Sequence, residues 1–119
     1  MDHDKRAALA ALVSERAERV AALEAEARQK IERDKDQAAY ERLMRAKAEL
    51  LSELAVDADP LLDGATEDEA AAIRAFSMNA GMALQVGSVF FMSALLYPDD
   101  HQPGQPNNLE ILAAALRQG

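Results

Sequence analysis

The chain has 119 residues, no cysteine, two histidines and a formal net charge of −8. That length supports one hydrophobic core. The residue inventory excludes disulfide frameworks, thiol catalysis, cysteine-ligated zinc and a multi-histidine metal site within one chain, and the acidic balance disfavours nucleic-acid binding and adsorption to anionic membranes.

Residues 1–56 hold 11 Lys/Arg and 12 Asp/Glu with no Gly or Pro. Ala, Leu, Glu, Arg and Lys dominate, the strongest helix formers. Acid-first pairs four apart (Glu15/Arg19, Glu24/Arg28, Glu26/Lys30, Glu41/Arg45) add a few tenths of a kcal/mol each. Ala7 to Val13 is apolar, but the aspartates before it spoil a secretory signal, so it reads as the opening of a helix. The pattern predicts a long charged helix over 5–55, about 75 Å at 1.5 Å per residue if unbroken.

The apolar stripe of this helix changes side. Leu9, Val13, Val20, Leu23, Ala27 and Ile31 share one face; Tyr40, Leu43, Met44, Leu50, Leu51 and Leu54 share the opposite one. The switch falls across Glu32 to Gln37. Either the halves of one helix face different partners, or the helix breaks near 34, where Asp34 and Gln37 have capping-box spacing. Without Gly or Pro in that stretch, a continuous or kinked helix is the favoured reading, with 1–37 as a charged coiled-coil arm that projects or folds back.

Asp59-Pro60 and Asp63-Gly64 mark a turn. Thr66 with Glu69 is a capping box, and Glu67, Asp68 and Glu69 suit a first helical turn. The next helix is expected over 67–97, stopped by Pro98, and packed antiparallel on 38–56 so that 38–97 forms a helical hairpin core. Residues 98–106 read as a linker. Asn107 with Glu110 opens a short amphipathic helix over 107–117, with Leu109, Leu112 and Leu116 on one face.

Residues 75–98 carry no charge. A helix that is apolar all round needs partners all round. The reading is a core helix covered partly by a second copy of the chain, completing a bundle or coiled coil as a homodimer or tetramer. Ala80, Met82, Ala83, Val86, Gly87, Phe90 and Ala94 are the candidate oligomer core, with Ala80, Ala83, Gly87 and Ala94 as a small-residue stripe allowing close approach. Asn79 and Gln85 would then be buried amides that fix register between chains, or would look out to water through a gap. Leu109, Leu112 and Leu116, after the Pro-Gly-Gln-Pro linker, are candidates for docking into another protein, or onto their own bundle. The length of the run also admits a transmembrane helix over 75–97 with a cytoplasmic N-terminal coiled coil, since 12 of 13 basic residues precede it. Asn79, Gln85 and the serines dilute its hydrophobicity, which favours the core.

His101 beside Asp99 and Asp100, and His3 beside Asp2 and Asp4, read as solvated. No Glu-x-x-His pair, phosphate loop or nucleophile–base set appears. No cofactor or metal is expected. The layout of charged helix, acidic turn and apolar second helix resembles small bacterial coiled-coil regulators, secretion chaperones and phage accessory proteins. Met78-x-Ala80-x-Met82 is similar to a stretch in the antiactivator proteins that sequester quorum-sensing regulators of conjugal transfer, over three positions, and no function is carried over from it. The expectation is an all-α, noncatalytic, cytoplasmic, homo-oligomeric interaction protein: an adaptor, chaperone or regulator that contacts another protein through helices.

Overall fold

In the computed structural model, which describes residues 2–118, the Asp2 carboxylate accepts the Lys5 amide at 3.0 Å and opens α1, His3–Glu32. At 30 residues α1 is about 45 Å long, so it spans nearly the whole 48 Å axis of the molecule. It does not project as an arm.

The helix expected over 5–55 is two helices. α1 ends at Glu32, and α2, Gln37–Ala58, begins after Asp36 accepts the Ala39 amide at 3.0 Å. The intervening turn is closed without glycine: Lys35 takes a left-handed φ of 53°, and the Asp36 amide donates to the Lys30 carbonyl at 2.8 Å. Folding back turns the two opposed stripes toward each other. Leu9, Val13 and Val20 then share a core with Leu51 and Leu54, while Ala27 packs in a second cluster with Leu43 and Met44. Burial of both stripes outweighs the absence of a turn-forming sequence.

A 3-10 helix over Asp59–Gly64 follows, and Thr66 and Glu69 form a complete capping box at the start of α3, Glu67–Val86. The antiparallel packing of α2 and α3 is fixed in part by Ser77, whose hydroxyl donates to the Leu51 carbonyl and accepts the Ala55 amide.

The helix expected over 67–97 is also broken. Gly87 takes a left-handed φ of 74° and its amide donates to the Ala83 carbonyl, a glycine C-cap. Ser88 caps α4, Val89–Ala94. The bend lays α4 across α2 so that Met92 is fully buried beside Met44 and Ala83. After a loop, Asn107 and Glu110 exchange capping hydrogen bonds of 2.9 Å and open α5, Asn108–Gln118, which runs back along α1.

The described residues contain no strand. α1, α2, α3 and α5 share one core, in which Ile73, Ala80, Leu109 and Leu116 meet the α1 and α2 stripes. Arg6 fastens the base. Its guanidinium donates to both Glu69 carboxylate oxygens at 2.8 and 3.0 Å, to the Gly64 carbonyl and to the Ala115 carbonyl. That pairing holds the Glu69 carboxyl below its ordinary range.

Candidate functional site

The uncharged run divides unevenly between inside and outside. On α3, Ala80 and Ala83 face α2 and are buried. The other side of the same helix is open: Met78 is 62% exposed, Met82 57% and Val86 67%, and the face continues onto α4 with Phe90 at 74% and Phe91 at 53%. The two rings lie 6.0 Å apart and tilted. With about 200 Å² for a fully exposed large apolar side chain, these five leave on the order of 600 Å² facing solvent. That is at the upper limit for an ordinary monomer surface, where such patches mark contact sites.

Between α3 and the chain after α4 the face dips into a groove of about 410 Å³. Phe76, Met82, Val86, Phe91, Leu95 and Pro98 form its apolar walls, and Asn79 and Asn108 are the side-chain amides at its margin. Its lining is apolar with few polar groups, a composition that suits an apolar ligand or an apolar side chain of a partner.

The orientation of α4 is set by a buried polar cluster. Lys47 lies on the apolar face of α2 and has no exposed surface. Its Nζ is 2.9 Å from a Glu24 carboxylate oxygen, donates to the Ser93 carbonyl at 3.0 Å and sits 5.1 Å from the centre of the Tyr97 ring. Tyr97 in turn donates its hydroxyl to Glu24 at 2.7 Å. α1, α2 and the segment after α4 therefore meet on the Glu24 carboxylate, and α4 joins them through Lys47. Burial lowers the affinity of the Lys47 amine for its proton, opposed by Glu24. Burial, reinforced by the Glu24 hydrogen bond and charge, raises Tyr97 to about 12. The cluster pairs its own polar groups, reaches solvent at Glu24, and works as an anchor.

The twelve residues singled out in the sequence are thus redistributed. Ala80 and Ala83 serve the chain's own core, so the small-residue stripe brings α2 close and leaves no continuous seam for a second chain. Met82, Val86, Phe90 and Ala94 are exposed together, and Gly87 is exposed as a helix terminator. Asn79 and Gln85 are exposed on the single chain. Of the two readings of Leu109, Leu112 and Leu116, packing on the chain's own bundle is the one seen: the three are buried in its core, and α5 is the fourth wall. Met78 and Phe91, which are not among the twelve, join the exposed face.

No described helix is long and apolar enough to cross a membrane, because the uncharged run is split at Gly87. Among the described residues no cluster of three or more His, Asp or Glu could hold a metal. No family model, curated protein or solved structure matches the chain.

Proposed function

We propose that the protein is a noncatalytic, homo-oligomeric helical interaction protein, an adaptor, chaperone or regulator, whose working surface is the apolar face of α3 and α4. The observation that carries this reading is the exposed set Met78, Met82, Val86, Phe90 and Phe91 on a chain that otherwise buries its apolar stripes. An exposed surface of that size costs solubility unless a contact covers it. Methionine and phenylalanine are the side chains that supply adaptable and large contact areas at interfaces. The reading places the protein in the cytoplasm, in keeping with its cysteine-free composition.

The test is light scattering coupled to size exclusion, without detergent. The expected species has at least twice the 12.9 kDa chain mass. Val86→Asp and Phe90→Asp, both at exposed positions, should shift it to monomer while helical circular dichroism is retained. A wild-type chain that stays monomeric at its highest soluble concentration would remove the homo-oligomeric reading. A chain recovered only in detergent would favour the membrane reading of residues 75–97.

A further inference from the structure

The open side of α3 carries five uncharged side chains in the order Met78, Asn79, Met82, Gln85, Val86, all exposed. The set is symmetric about Met82. Three residues to either side of it stands a carboxamide, and four to either side stands a large apolar group. Such a face matches its own reverse. Charged neighbours are distributed asymmetrically: Glu67, Asp68, Glu69 and Arg74 lie toward the N-terminal end, and no charge follows until Asp99.

We infer that this face pairs with the α3 of a second copy of the chain, antiparallel, about a two-fold axis at Met82. The inference rests on the homo-oligomeric reading above and specifies its geometry. A two-fold contact requires a self-complementary patch. In this register Met82 meets Met82 and Met78 of one copy lies level with Val86 of the other, while Asn79 and Gln85 fall on the two outer edges of the contact. The centre of the seam is then apolar, and the carboxamides stand at its rim, where each can still donate and accept.

Charge selects the copy and the direction. A chain of net charge −8 repels itself over most of its surface, and residues 75–98 are where two copies meet with no charges opposed. The face has no carboxylate to hold a basic partner. A parallel pairing would set the first turn, Glu67 to Glu69, against itself and Arg74 against Arg74. The antiparallel pairing moves both acidic turns to opposite ends and carries each Arg74 toward the other copy's α4, where Phe90 is exposed. Together with Phe90 and Phe91 of α4, the apolar groups of this face expose on the order of 600 Å², most of the roughly 800 Å² that each partner contributes to a standard interface. Flanking Ala75, Ala94 and the groove walls supply the remainder.

Because the chain has no cysteine, single-cysteine variants report this geometry directly. Under mild oxidation Met82→Cys should form a disulfide-linked dimer. Met78→Cys alone should not, because two copies of residue 78 stand eight residues apart in register, about 12 Å, beyond disulfide reach. A mixture of Met78→Cys and Val86→Cys should cross-link to each other in preference to themselves. The unmodified protein gives a second readout. In a mixed-labelled sample, intermolecular NOEs should join the Met78 methyl to the Val86 methyls. A dimer in which Met78→Cys and Val86→Cys each link to themselves is parallel and overturns the inference. A dimer that shows none of these links or NOEs uses another face, and overturns it while leaving the homo-oligomeric reading standing. A wild-type monomer by light scattering removes both.

Discussion

The Lys47 ammonium and the Glu24 carboxylate meet at 2.9 Å between α2 and α1, with the lysine wholly removed from solvent and the glutamate side chain 18% exposed. A buried ion pair contributes little net stability against an apolar pair of the same shape, but removing one partner is costly because the other charge stays buried. What the pair supplies here is position. Lys47 also donates to the Ser93 carbonyl, so this buried cation helps to hold α4, and with it Phe90 and Phe91, in place.

Glu24→Gln should therefore destabilise the protein by about 3–5 kcal/mol, because Lys47 keeps its burial and loses its countercharge. Lys47→Met should cost less, since the remaining carboxylate reaches water and still accepts from Tyr97. The double variant should recover most of the loss. Urea unfolding of the three variants checks this. A Glu24→Gln cost below about 1 kcal/mol would mean that the pair is solvated and does not anchor α4.

Tyr97 offers a spectroscopic report on the same cluster. Its hydroxyl donates to Glu24, and burial together with that carboxylate raises its titration to about 12 from an ordinary value of 10.0. The unfolded chain releases this proton near pH 10, and the folded chain holds it for roughly two units more. The contribution of the protonated phenol to stability is complete below pH 10 and is lost as pH rises from 10 toward 12. In a Tyr40→Phe background, which leaves Tyr97 as the only tyrosine, absorbance at alkaline pH should show ionisation near 12. Adding Glu24→Gln should lower it. A midpoint at the ordinary value in the folded protein would show that the ring is solvated.

Much of the fold was legible where the chemistry is local. The Thr66/Glu69 and Asn107/Glu110 capping boxes pair residues three positions apart, and both helices start where those spacings place them. The change of stripe near residue 34 was also visible, but its meaning depends on burial between segments far apart in sequence. The turn itself is made by Lys35 and Asp36, neither a strong turn signal. Gly87-Ser88 carries a local signal as well: a glycine C-cap followed at once by a serine N-cap ends one helix and starts another. Buried ionic contacts had a signal too. Arg6 and Arg16 lie on the same face as Leu9, Val13 and Val20, and Lys47 lies between Leu43, Met44 and Leu51. A basic residue in the centre of an apolar stripe must find an acid or a carbonyl. The exposure of Met78, Met82 and Val86 was not legible, because absence of charge marks burial in a core and burial in a contact alike.

Glycine substitutions should separate close approach from helix propensity. A Cβ at Gly64 would overlap the backbone of Arg6, lying 2.6 Å from the Arg6 Cα. The Gly64 carbonyl also accepts from the Arg6 guanidinium. Gly64→Ala must therefore push the start of α1 off the turn, and should cost about 1–3 kcal/mol, the usual range for overpacking. At Gly81, inside α3, a Cβ meets nothing within 4 Å. Gly81→Ala should stabilise by up to about 1 kcal/mol through helix propensity alone. Thermal melts that rank wild type between the two confirm the assignment; equal melting temperatures for both variants would refute it.

α5 is expected to behave as part of the core and not as a detachable tail. Leu109 has no exposed surface, Leu116 is 2% exposed, and both pack in the cluster that contains Leu9 and Val13. Truncating either leucine to alanine removes burial and leaves a cavity, so Leu109→Ala and Leu116→Ala should each cost about 2–5 kcal/mol. Asn107→Ala removes the acceptor of the Glu110 amide at the helix start and should cost about 1 kcal/mol. Ile111 is 52% exposed on the far side of the same helix, and Ile111→Ala should be nearly silent. Denaturant midpoints of these four variants, measured side by side, give the ordering. If the leucine variants melt like Ile111→Ala, α5 is not docked in solution, and its apolar face returns as a candidate for capturing another protein.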